Sequence, residues 1–417
     1  MARATASWRP CRPRTPRYLI LILTVATMYR IIKKSVDIDF PRGHHLHCLA
    51  SQIPNEIGLD NEPDPQAITQ RKWQRVRSVL ELVINAKSNL KKIHFLLFPE
   101  GTLPCSHLDR ALSLIADGFP TNTVTMLGLE ASPLATFSTL SQRFESDNEE
   151  LLQSICEDRQ SGKIDDLQVN SAAIVIKEST GKMRVFLQVK SHPCSHEEDM
   201  DAYRDLYHGK VFPLWHCPST GFNFMLMICF DYIYRTLYQS NIRQVIDYAN
   251  ELYFSSRQQL DLLVVLECNP KPEHALFRNV VHGFYGEMLE STPGVHDTIT
   301  VFCNASGETN TPLLEDCEDH FGYSSIIMHE DHKILPRQLP NYTVDNYGGL
   351  PVCRLRFNCE TRLFYFNLPV LHRFDPRTAR MPLKVHRIYQ EDSQGNWRNM
   401  RDIEDSDLSV SNSQGET

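Results

Sequence analysis

FNFMLMICFDYIYR, residues 222–235, holds seven consecutive apolar residues from Phe224 to Phe230 and then stops at Asp231. A run of that length without alternation reads as a strand buried on both faces, the kind found inside a layered α/β protein. Cys229 stands at its end, and helical spacing follows through Leu252. Similar runs occur to either side. Ile93–Phe98 (IHFLLF) ends at Pro99-Glu100, and Met183–Val189 ends at Lys190. Leu262–Leu266 and Thr298–Cys303 are further strands, His47–Ile53 is the first, and Thr123–Leu129 lies between two helices. Those helices are predicted over Ala67–Leu90 and Leu108–Ala116, with another over 273–290. Ala172–Lys177 and Met183–Val189 pair across the turn at 178–181. Ser324–Met328 and Lys333–Leu335 are predicted as a hairpin around His329–His332. Strands alternating with helices, with hairpins late in the chain, predict one α/β layered domain over residues 43–372 with mixed sheets.

The chain has 417 residues, 41% apolar and 23% charged, which excludes wholesale disorder and a collagen-like fibre. Its net charge of −8 argues against a body that coats nucleic acid. Residues 1–42 carry nine basic residues and two acids, a sum of +7, so the remaining 375 residues sum to −15. That basic leader contains the apolar run Tyr18–Tyr29 between Arg17 and Arg30. Its twelve residues rise only ~18 Å as a helix, short of a ~30 Å hydrocarbon core, so membrane contact is not expected. Residues 373–417 form a C-terminal extension. From Glu391 to Thr417 it has seven acids and two bases among Ser, Asn and Gln, and is expected to be disordered. Twelve cysteines without a CxxC pair point to reduced thiols and a cytoplasmic location.

Glu100, Lys190 and Cys229 each close an apolar strand, and side chains at neighbouring strand ends converge on one crevice in such folds. Together they offer a carboxylate, an ammonium and a thiol. A thiol needs a base or a cation to act as a nucleophile at neutral pH. Glu100 would accept its proton, and Lys190 would stabilise the thiolate and the oxyanion formed when sulfur attacks a carbonyl or nitrile carbon. The Phe230 N–H would be a second oxyanion donor. Singly, each residue has a plainer reading: an inert buried thiol, a solvated strand-end lysine, and a glutamate opening a turn.

In order and context the three resemble the Glu-Lys-Cys triad of the nitrilase, or carbon-nitrogen hydrolase, superfamily. The matching segments are Phe98-Pro99-Glu100, then Asn170-Ser171-Ala172 leading to Lys190, then Ile228-Cys229-Phe230-Asp231. Cys303-Asn304-Ala305-Ser306-Gly307 is similar to the family's Asn-x-x-Gly strand end, and Gly322-Tyr323-Ser324 to its Gly-x-Ser segment. The resemblance implies a four-layer α-β-β-α sandwich that dimerises through the face near the cysteine. It also implies amidase, nitrilase or carbamoyl-hydrolase chemistry on a small molecule, with no metal or organic cofactor. Many members carry a second glutamate seven or eight residues after the lysine, which here means Glu197 or Glu198.

The sequence departs from the family after the cysteine, where Tyr232-Ile233-Tyr234-Arg235 replaces the usual Arg-Phe-Pro-Glu. Residues 139–166 read as an insertion or lid over an edge, and the helix near 242–257 is also long. An alternative is therefore a catalytically altered binding or assembly module, and by analogy with enlarged nitrilase-like domains it would belong to a prokaryotic antiviral defence system. His44, His45, His47 and Cys48 start a strand and alternate faces, and His329–His332 occupies a predicted turn, so neither reads as a metal site. The Asn304 and Asn341 glycosylation patterns are not used in the cytoplasm, and no phosphate-binding glycine loop occurs.

Overall fold

The computed structural model describes residues 29–41, 45–56, 64–85, 90, 93–162, 164–192, 206–235, 240–256, 258–288, 292–309, 321–330, 339–347, 349–369 and 383–400. Its strands are β1 (Arg30–Ser35), β2 (Leu46–Gln52), β3 (Phe95–Leu97), β4 (Thr123–Pro133), β5 (Gln168–Lys177), β6 (Met183–Val189), β7 (Val211–Cys217) and β8 (Phe222–Ile228). They continue as β9 (Leu262–Glu267), β10 (Ile299–Asn304), β11 (Ser325–His329), β12 (Tyr342–Asn346), β13 (Val352–Phe357), β14 (Arg362–Leu368), β15 (Val385–Glu391) and β16 (Trp397–Asn399). The helices are α1 (Pro65–Asn85), α2 (Leu108–Gly118), α3 (Leu134–Gln142), α4 (Glu145–Ser161), the short α5 (Phe230–Ile233), α6 (Asn241–Tyr253) and α7 (Ala275–His282).

The strands form two eight-stranded mixed sheets. The first runs β1-β7-β8-β9-β10-β11-β13-β12 and the second β16-β15-β14-β2-β3-β4-β5-β6. In the first, β8, β9 and β10 are parallel to one another, and in the second β2, β3 and β4 are. Both groups end at one edge of the sandwich, which brings Glu100 and Cys229 to neighbouring strand ends.

Side-chain alternation divides the core into three apolar layers. Phe224, Leu226 and Val264 face Phe95, Ile174 and Phe186 between the sheets. Met225, Met227 and Val265 face Val245, Ile246, Phe277 and Val281 of α6 and α7. On the opposite surface Leu96, Leu127 and Val175 face Val76, Leu80, Leu112, Phe137 and Ile155 of α1 to α4. Three buried interfaces separate four layers, so the fold is an α-β-β-α sandwich. The unbroken apolar run at 224–230 follows from this: every residue of β8 is buried on one face or the other.

Several segments differ from expectation. Residues 30–35, assigned by composition to the leader, are an edge strand parallel to β7, and Val36, Ile38 and Phe40 are fully buried between the sheets. The basic residues of β1 mislead because their charges meet acids of α4: Lys34 pairs with Glu150 and Arg30 with Glu157. The rest of the run Tyr18–Tyr29, up to residue 28, lies outside the described residues. The stretch after 391, expected to be disordered, contributes β16, whose Trp397 packs on α1 and donates from Nε1 to Ser78 Oγ at 2.9 Å. Residues 333–335 lie outside the described residues, and β11 instead pairs with β10 and β13. Residues 139–166 form the end of α3 and α4. At the start of α4, Asp147 and Asn148 hydrogen-bond the backbone of Val185 and Leu187 and so cover the edge of β6. No helix among the described residues is long and apolar enough to cross a membrane.

Candidate active site

Glu100 lies in the turn that follows β3, and its position depends on glycine. A Cβ on Gly128 would lie 2.1 Å from the Pro99 carbonyl oxygen and 2.5 Å from the Glu100 Cα, so only a bare backbone lets β4 run this close. Gly101 completes the turn at φ +70°. Asn55 Nδ2 donates to the Glu100 carbonyl at 3.0 Å, and Thr102 Oγ1 donates to that of Pro99 at 2.9 Å.

The Glu100 carboxylate is fully engaged. Oε1 accepts from Lys190 Nζ at 2.7 Å and from Asn170 Nδ2 at 2.8 Å, while Oε2 accepts from the Cys268 N–H at 3.1 Å. Lys190 has no solvent exposure, and Glu100 is 5% exposed. A buried ion pair of this kind is costly to desolvate and is held only where further hydrogen bonds satisfy it, as Asn170 and the Cys268 amide do here.

Cys229 follows β8 at φ +45°, ψ −107°, a backbone conformation rarely adopted by a residue with a Cβ. Its N–H donates to the Leu266 carbonyl at 2.8 Å, two residues before the Cys268 amide that binds Glu100. A second tie runs through Asp231, whose carboxyl is fully buried and accepts from the N–H groups of Ser191 and His192, directly after Lys190. Burial pushes the Asp231 carboxyl up to about 8, against the opposing pull of Lys190 and the two backbone donors. The structure thus brings Glu100 and Lys190 into contact and carries Cys229 to the same end of the sandwich. Phe230 opens the short helix α5, and Glu197 and Glu198 lie outside the described residues.

Other groups beside the trio titrate abnormally. Burial, reinforced by Glu100, pushes the Cys268 thiol well up and keeps it protonated. Burial, His208 and Lys190 lower His192 to about 3, so its ring is neutral where it stacks on Tyr234. Glu267, at the end of β9, is pushed up to about 8 by burial and by Glu100. Sequence reasoning used Asp231 and Asn170 only as landmarks and overlooked Glu267. The signal for Glu267 was the same one that selected Lys190: a charged residue closing an apolar strand.

The expected metal-like groups are dispersed. Cys48 faces the core between the sheets, whereas His47 stacks on His94 and Tyr365. Asn304 and Ser324 are structural: the Asn304 side chain holds the backbone of Asn269 and Gly322, and Ser324 Oγ accepts from the Asn304 N–H.

No family model and no curated protein matches the chain. Among solved structures, a carbon-nitrogen hydrolase from Helicobacter pylori G27 is similar over 69% of this chain and 82% of its own, with 11% identity and a TM-score of 0.38. The α-β-β-α assignment stands on the sheet order and the three core layers described above.

Proposed function

We propose that the chain is a hydrolase of a non-peptide carbon-nitrogen bond, an amide, nitrile or carbamoyl group, that works through a thioester on Cys229. One observation carries this reading: a buried Glu100–Lys190 ion pair at the strand ends onto which the strained Cys229 turn is tied. In the proposed reaction on an amide, Glu100 takes the thiol proton as sulfur attacks the carbonyl carbon, and Lys190 stabilises the oxyanion. The C–N bond then breaks, Glu100 returns the proton to the departing amine, and a thioester remains. Water, losing its proton to Glu100, attacks the thioester, releases the acid and restores the thiol. A neutral carboxyl at Asp231 adds no second negative charge beside the thiolate. Glu197 or Glu198 would orient the water.

Iodoacetamide treatment of the native protein, read by mass spectrometry, tests the activated thiol. Cys229 should react at least tenfold faster than the other eleven cysteines, and a rate no higher than theirs refutes activation. Incubation with small amides should then leave an acyl adduct on the intact wild-type mass that Cys229→Ala lacks.

A further inference from the structure

The outer face of the first sheet is apolar where α6 and α7 cover it, except at one place behind the Cys229 turn. There Tyr232, one turn beyond Cys229, packs its ring against Phe277 and Phe302 at 5.6 and 5.2 Å. Glu267 closes β9, and Arg354 projects from β13. These residues are 0%, 1% and 6% exposed. Tyr232 O–H, Glu267 Oε1 and Arg354 Nε all lack a hydrogen-bond partner among the described residues. Buried polar atoms are satisfied in the great majority of cases, so three in one neighbourhood on three separate elements require explanation.

The three are in electrostatic reach of one another. Glu267 acts on the Tyr232 hydroxyl, Arg354 acts on Glu267, and the Arg354 guanidinium lies 5.2 Å from the ring centre of Tyr347, which also acts on Tyr232. Other groups fix the remaining atoms. Glu273 takes both terminal nitrogens of Arg354, at 3.0 and 2.7 Å, which leaves Nε–H as the free donor. Asn269 binds the Glu267 carboxyl, and Tyr285, next to Tyr232, is tied to Thr300 at 2.5 Å.

The charges have a definite sign. Arg354, Arg356 and Arg278 surround the single anion Glu273. Glu267 faces Glu100 from β3, Arg354 from β13, Glu273 from the loop after β9, Tyr232 from α5 and Cys303 from β10. Burial and the two carboxylates outweigh Arg354, so Glu267 holds its proton up to about 8 and is itself a donor. Three donors in a cationic setting match the two oxygens of a carboxylate, which accept several hydrogen bonds at once.

We infer that Tyr232, Glu267 and Arg354 form a binding site for a small carboxylate on the helix side of the first sheet, behind the Cys229 turn. Its occupant touches the residue that hydrogen-bonds the Cys229 carbonyl and the carboxyl that acts on Glu100. Binding is read without turnover, so this inference and the hydrolase reading fail independently.

The test uses the full chain with sodium propionate as probe and propionamide as its neutral control, at fixed ionic strength. Propionate should raise the melting temperature saturably at pH 6.5 and give a calorimetric isotherm; propionamide should do neither. Tyr232→Phe, which removes one oxygen and keeps the ring packing, should weaken propionate at least ~10-fold. Above pH 8 Glu267 ionises, loses its donor and repels the ligand, so wild-type affinity should fall ~10-fold per pH unit. Glu267→Gln keeps a donor that does not titrate and should bind equally at pH 6.5 and 9. No saturable response in the wild type, an equal response to propionamide, unaltered binding in Tyr232→Phe, or an unchanged pH dependence in Glu267→Gln would each overturn the site, as expected if ordered water alone satisfies these groups.

Discussion

Asp231 joins two strand ends that lie 40 residues apart in sequence, because its carboxyl serves the backbone of Ser191 beside Lys190. Its protonation makes a prediction about stability. Asp231 and Glu267 are both held near 8, whereas unfolded carboxyls titrate at about 4. Between those limits the folded state binds a proton that the unfolded state lacks, so each group's contribution is full below about pH 4 and is lost as pH rises through 8. The slope is roughly 1.4 kcal/mol per pH unit per group. His192 acts oppositely, since its folded value of about 3 lies below the ordinary one, and its contribution is complete only above about pH 6.5. Urea titrations from pH 6.5 to 8 therefore isolate the carboxyls: stability should fall with pH in the wild type and fall by about half as much in Asp231→Asn. An equal slope in both proteins would contradict a protonated Asp231. The three proposed catalytic residues were legible because each ends an apolar run. The groups that hold them were less so: an isolated Asn55 or Gly128 has no sequence signal for a contact made across the fold.

At the scale of elements, the turn at Pro99–Glu100 and strand β4 are mutually dependent. A methyl group on Gly128 would collide with backbone, which cannot move aside as a side-chain tip can. Gly128→Ala should cost about 1–3 kcal/mol in urea unfolding. It should also displace Glu100 and lower the Cys229 alkylation rate toward that of the other thiols; an unchanged rate would separate Glu100 from thiol activation. Strands buried on both faces were readable at the element level, because continuous apolar runs have few other uses. Two others were hidden. β1 (RIIKKS) alternates and is basic, and it becomes a strand only when β7 supplies its ladder and α4 its counter-charges. β16 is three residues long and lies in an acidic stretch, and Trp397 is the contact that anchors it.

Across the whole molecule, Phe40 shows why composition misjudged the N-terminal region. Its ring lies 5.4 Å from Phe222 of the first sheet and 5.7 Å from Phe95 of the second, so it fills space between the two. Phe40→Ala should cost about 3–5 kcal/mol by chemical denaturation, whereas a residue merely appended to the domain would cost under about 0.5 kcal/mol. On the same side, α4 ties the two sheet edges together, receiving β1 through Lys34 and Arg30 and covering β6 with Asp147 and Asn148. Local sequence determined which stretches are strands and helices, and which polar residues close them, because hydrophobic periodicity is a property of consecutive residues. Tertiary structure decided the pairing of Glu100 with Lys190, the inclusion of residues 30–41 and 397–399 in the sheets, and the proton on Asp231. Those outcomes depend on burial and on partners tens to hundreds of residues away, and both come into being only when the two sheets close on each other.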